Sequence, residues 1–162
     1  MRKPTCKGAC TRTGMNTRGS SLEASDAGYV FLEHTADVGL RAWGPTPAAA
    51  ARSMYALTLG RDPAEASGTK ATYTISVSGA TWADLLVNWL AELLFQFSVE
   101  GLVGQTFDFS ACAPPHCSAT VTGIAIEDEE QVEGGEIKAV TYHHLEVDIQ
   151  PDRKTVQVVF DI

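Results

Sequence analysis

The chain has no apolar run of about 18 residues free of charge, the minimum a membrane-crossing helix requires. Its opening, MRKPTCKGAC, is basic but lacks the apolar stretch of a secretory signal, so the sequence reads as cytoplasmic. It has no glycine-rich phosphate loop, no nucleophile elbow and no kinase signature, and these absences argue against an enzyme. Basic residues are also scarce, 12 Lys and Arg against 20 Asp and Glu, for a net charge of −8. The deficit is uneven. Residues 1–28 carry +3, and the remaining 134 residues carry −11. A body of that sign is repelled by phosphate backbones, so direct nucleic-acid binding is not expected, and cations and basic protein surfaces are its natural partners.

Cysteine is limited to Cys6, Cys10, Cys112 and Cys117. With no export signal these are read as thiols. CAPPHC places Cys112, His116 and Cys117 close together. A closed zinc site wants four ligands, however, and the proline pair reads better as a turn between strands.

The 162 residues suit a single domain with an extension. Residues 1–28, rich in Thr, Gly, Ser, Arg and Lys, are expected to form a disordered basic tail. The domain is expected to span 29–162. YVFLE (29–33) and VGLRAW (38–43) read as strands joined by HTAD. Thr46 reads as an N-cap with Pro47 at the first helical position, and an Ala-rich helix runs to Leu59 before Gly60 ends it. ATYTISVSG (71–79) alternates apolar and polar with period two, the pattern of a strand wet on one face. Thr81 with Asp84 forms a capping box for a helix whose apolar face includes Leu85, Leu86, Trp89, Leu90, Leu93, Leu94 and Phe97. Strands follow near 106–109 and 118–126. EDEEQVEGGE reads as a solvated loop with no packing role. A strand region covers 136–149, a turn falls at 151–154, and TVQVVFDI closes the chain as a strand. Isolated helices among more numerous strands indicate an α+β fold.

Three features could carry chemistry. In EHTADVG, Glu33, His34 and Asp37 crowd a junction between strands, which reads either as a functional cluster or as a turn in which Asp37 bonds its own backbone. In FDI, the Asp161 carboxylate lies one residue from the α-carboxylate of Ile162. That is either a solvated chain end or a site for a hard divalent cation that neutralises the two. His143 and His144 adjoin on a strand, where successive side chains face opposite ways, so they are not expected to chelate one ion together. One of them could pair with a carboxylate, face a partner or simply be structural.

EHTADVGLRAWG, DLLVNWLAELLF followed by FSVEGL, EIKAVTYHHLEV and the final VVFDI together resemble the archease family over residues 29–162. The resemblance implies an α+β fold with a mixed or antiparallel sheet packed on two helices and an inserted strand-helix-strand-strand module. It implies an accessory protein with no catalytic residue of its own, a monomeric partner of an RtcB-type GTP-dependent RNA ligase in tRNA splicing and RNA repair, promoting guanylylation and multiple turnover of that ligase. It also implies a metal site at Asp37, Asp161 and Ile162, with calcium favoured over magnesium or manganese. Glu33, His34 and His143 are then second-layer or partner-facing residues. The chain departs from the family pattern at Glu33, where Asp is usual. It also lacks an Arg-His pair ahead of Glu136 and a Trp before the last strand. Two rival readings are a small divalent-metal-dependent phosphoester hydrolase, with His34 or His143 as base, and a chaperone-like interaction module.

Overall fold

A computed structural model describes residues 27–33 and 37–162; expectations that fall on the first 26 residues, including Cys6 and Cys10, and on His34 lie outside the described residues. Among the described residues, seven strands and two α-helices follow in the order β1 (Gly28–Glu33), β2 (Asp37–Gly44), α1 (Ala48–Leu59), β3 (Thr69–Ser78), α2 (Trp82–Glu100), β4 (Leu102–Ala113), β5 (His116–Ala125), β6 (Ala139–Ile149) and β7 (Lys154–Asp161). They form two antiparallel sheets, one of four strands ordered β1-β2-β7-β6 and one of three ordered β3-β5-β4. The fold is α+β. The segment β3-α2-β4-β5 is the expected strand-helix-strand-strand module, interposed between α1 and the return to the larger sheet through β6 and β7.

Both sheets and both helices share one core. Leu40, Ala42, Val156, Val158 and Phe160 of the larger sheet and Ile75, Val103, Ala119 and Val121 of the smaller one enclose Met54, Tyr55 and Leu59 of α1 and Leu85, Trp89, Leu90 and Leu93 of α2. Strand β3 shows the alternation expected of it, with Ala71, Tyr73, Ile75 and Val77 turned inward and the Thr and Ser between them exposed. The capping box of α2 is complete. The Thr81 hydroxyl accepts from the Asp84 N–H at 3.1 Å, and the Asp84 carboxylate accepts from the Thr81 N–H at 3.2 Å. Gly101 ends the helix at φ 65, the left-handed conformation glycine adopts without a steric cost.

The start of α1 differs by one residue from expectation. The Pro47 carbonyl, not that of Thr46, accepts the first helical bonds, from Ala50 at 3.1 Å and Ala51 at 3.3 Å, so Pro47 is the cap. β6 begins at Ala139 rather than at 136, and Lys138 just ahead of it already donates its N–H to the Asp161 carbonyl at 2.8 Å.

The acidic loop 127–136 has the packing role the sequence did not suggest. A helix leaves its last four carbonyls without partners inside the helix. Here Gly60 N–H donates to Ala56 O at 2.9 Å, and the loop supplies the other three donors: Gly135 to Leu57 O at 3.1 Å, Gly134 to Thr58 O at 3.1 Å and Glu133 to Leu59 O at 3.3 Å. The side chains of EDEEQVEGGE are solvated, but its backbone closes α1. Gln131 ties the same loop to Ser67, accepting from its N–H at 2.9 Å and donating to its carbonyl at 2.8 Å. The approach requires glycine: a Cβ on Gly134 would lie 1.9 Å from Leu57 O and 2.6 Å from Thr58 O. Gly134→Ala is therefore expected to push the loop off the helix and cost about 3 kcal/mol through steric strain and lost carbonyl partners. Urea unfolding of the two proteins measures this, and a loss below about 1 kcal/mol would mean the loop re-caps the helix in another way.

Candidate functional site

The two acids singled out in the sequence are 124 positions apart and become neighbours through the pairing of β2 with β7. Asp37 and Asp161 are direct cross-strand partners, and Ala139 of β6 faces Asp161 from the other side. Directly opposed residues of an antiparallel pair share a face, with Cβ atoms about 5 Å apart. The residues in step with them along β2 and β7, Arg41 and Gln157, are linked by a 2.8 Å hydrogen bond on the side of the sheet away from Leu40, Val158 and Phe160. The two carboxylates therefore lie at one end of the helix-free face. Asp161 is exposed, Asp37 is half-buried, and Ile162 follows with 40% of its surface exposed.

The sequence reading missed Lys138. Its backbone N–H holds the Asp161 carbonyl, and its Nζ donates to the Ile162 oxygen at 3.4 Å. A signal was present: Lys138 is the sole basic residue between Lys70 and Arg153. Glu33 ends β1, exposed and opposite Val38, so it stands beside the Asp37 end of the sheet but one strand further out.

His143 and His144 depart from expectation. Between the pairs Thr141–Val159 and Glu146–Gln157, β6 advances five residues while β7 advances two, so three residues of β6 are extra and form a bulge. His144 takes φ 50 within it. Strand alternation fails there, and the two imidazole rings lie side by side with centroids 4.1 Å apart and planes at 59°. Local bonds hold the bulge: Thr141 Oγ1 donates to Val159 O at 2.8 Å and accepts from the His143 N–H at 3.3 Å, and Gln157 Nε2 donates to His144 O at 3.2 Å. Tyr142, at the bulge's start, donates its hydroxyl to Asp84 Oδ1 at 3.0 Å and so ties β6 to the first turn of α2. Hydrogen bonds from Thr81 and then from Tyr142 hold the Asp84 carboxyl below its usual value, and the same contact raises the Tyr142 phenol. The bulge places His143 beyond Thr141, away from the Asp37–Asp161 pair in register.

CAPPHC forms a tight turn, Pro114-Pro115, between β4 and β5. Cys112 and Cys117 face each other across it, while His116 turns to Ser76 Oγ at 3.0 Å, so the three do not converge. Among the described residues there is no group of three or more His, Cys, Asp and Glu side chains placed to hold a metal ion. The Asp37–Asp161 end contributes two carboxylates and main-chain oxygen. No helix among the described residues is long and apolar enough to cross a membrane.

The chain is thus a small α+β domain with an interposed β-α-β-β module and two acids paired at one sheet end. The family profile described as Archease protein family (MTH1598/TM1083) matches residues 29–162. An archease from Methanosarcina barkeri is 32% identical over 142 residues, covering 83% of this chain and 95% of that protein. An archease-like protein of Dictyostelium discoideum is 30% identical over 142 residues, covering 83% and 93%. The solution structure of Methanobacterium thermoautotrophicum protein 1598 superposes with a TM-score of 0.63 at 24% identity, covering 83% of this chain and 98% of that one. The Thermotoga maritima crystal structure, described as an archease and possible chaperone, gives 0.54 at 21% identity, covering 81% and 94%. These two likenesses concern the fold. The chain belongs to the archease family.

Proposed function

We propose that this protein is an accessory activator of an RtcB-type RNA ligase, acting through a divalent cation held by Asp37, Asp161 and the main-chain oxygen of Ile162. The observation that carries the reading is the register that sets Asp37 directly opposite Asp161. The donors there are all oxygen, the set a hard cation prefers, with water completing the shell. Calcium tolerates that arrangement better than magnesium, which demands a near-ideal octahedron. The acidic body supports a protein partner over a nucleic-acid one. A ligase surface that handles RNA must be basic, and an acidic domain is steered to it while being repelled by the RNA itself. When bound, the cation would supply positive charge at an otherwise anionic tip. The chain's own residues would position it: Asp37 and Asp161 as ligands, and Lys138 steadying the Ile162 oxygen.

The test is RNA joining by purified ligase at substoichiometric concentration, with GTP and with or without this protein. Multiple turnover and faster guanylylation of the ligase are expected only in its presence. Unchanged ligase kinetics would overturn the reading, and phosphoester turnover by the isolated protein would point to a hydrolase instead.

A further inference from the structure

The tip of the β4–β5 hairpin carries a feature unrelated to the cation site. Cys112 and Cys117 are direct cross-strand partners, flanking Ala113-Pro114-Pro115-His116. Opposed residues of an antiparallel pair have Cα atoms about 4.5–5.5 Å apart, which lies within the span a disulfide bridges without backbone movement. Their burial is unequal, with Cys117 enclosed at 1% exposure and Cys112 partly open to solvent. Both line a small apolar cavity of about 30 Å³, together with Trp82, Trp89, Ile149 and Lys154, where the module's tip packs beneath the β6–β7 hairpin. Lys154 is fixed there by donating to Pro45 O at 2.8 Å, and its ammonium lies 5.9 Å from the centre of the Trp82 ring.

We propose that Cys112 and Cys117 form an oxidation site, in which hydroperoxides convert the thiol pair to a reversible disulfide across the hairpin. The roles follow from the asymmetry. Cys112 is the attacking sulfur, because it is reachable. The hydrogen bond from Cys117 and then the charge of Lys154 favour its thiolate against the opposing effect of burial. Cys117 keeps its proton, since donating to Cys112 and being buried both raise its thiol. In the first step the Cys112 sulfur attacks the peroxide oxygen and the O–O bond breaks. An alcohol (or water, from hydrogen peroxide) leaves, and Cys112 becomes a sulfenic acid. In the second step the Cys117 sulfur attacks Cys112, the S–O bond breaks, and water leaves with the Cys117 proton. Two thiols and one hydroperoxide give one disulfide, one alcohol and one water, and a thiol reductant reverses the change. The bridge would fasten the module's tip where it meets the larger sheet.

The test treats the full-length reduced chain with hydrogen peroxide, blocks remaining thiols with iodoacetamide and maps the peptides by mass spectrometry. The expected result is a peptide spanning 112–117 that carries no alkyl group and has lost two hydrogens, with both thiols restored by dithiothreitol. Cys117→Ser should trap the sulfenic acid on Cys112, captured by dimedone, and Cys112→Ser should leave Cys117 reduced. If both thiols remain alkylatable after peroxide, or Cys112 in the unaltered chain proceeds to sulfinic acid, or it pairs with Cys6 or Cys10 instead, the proposal fails.

Discussion

Trp89→Ala is expected to destabilise the protein by about 3–5 kcal/mol, a large share of the 5–15 kcal/mol typical of a folded domain. Trp89 is 1% exposed and stands where the core of α2 meets the smaller sheet. Its ring lies 6.0 Å from Phe107 and 5.1 Å from Phe109, centroid to centroid, and it lines the apolar cavity beneath the β6–β7 hairpin. Truncation would forfeit both aromatic contacts and widen a void that already exists, so the surroundings have little scope to collapse into it. The indole N–H is buried without a hydrogen-bond partner among the described residues. Trp89→Phe would therefore remove an unsatisfied donor along with the extra ring, and its cost should be the smaller, about 1–2 kcal/mol. Chemical denaturation of the three proteins decides the matter. If Phe costs as much as Ala, ring contacts do not dominate at this position.

Much of the architecture could be read locally. The alternation of 71–79, the capping box at Thr81 and Asp84, and the apolar stripe of α2 each depend on residues within a turn or two of one another, and each occurs as expected. The missed features depend on distant partners. The backbone of 133–135 caps a helix that ends at Leu59, and nothing in a run of acids and glycines names that helix; the Gly-Gly pair was the available hint of close backbone approach. The bulge after Thr141 was hidden for a different reason. Period-two reasoning assumes an unbroken register, and YHHLE carries no glycine or proline to announce three extra residues. The one-residue error at Thr46 arose because Ser or Thr before Pro satisfies the capping rule in composition, whereas the carbonyl that accepts the first bond belongs to Pro47.

The candidate site was legible in part for a related reason. Asp37 and Asp161 each sit in a short, distinctive motif, but only the strand order β2-β7-β6 makes them opposite one another. Lys138 went unremarked because its link to the Ile162 oxygen appears only once β6 and β7 are paired.

Asp37→Asn and Asp161→Asn should each weaken calcium affinity by about 100-fold, close to 3 kcal/mol, if the proposed cation is held there. Loss of affinity alone would not separate a ligand from a structural acid, but the stability of each variant with and without calcium does. Like charges directly opposite on neighbouring strands destabilise a sheet by about 0.2–1 kcal/mol. In chelator, then, replacing either acid should leave the melting temperature unchanged or slightly raised. With calcium the order should reverse. The unaltered chain gains stability in proportion to the logarithm of the calcium concentration above its Kd, and the variants gain almost none over the same range. A ligand shared between two carboxylates produces that crossing. A carboxylate needed for folding gives variants that are less stable in both conditions, and an idle surface acid gives parallel curves. Ligase stimulation should follow the calcium-dependent curve. Full stimulation by a variant whose melting temperature no longer responds to calcium would detach the cation from the activity altogether.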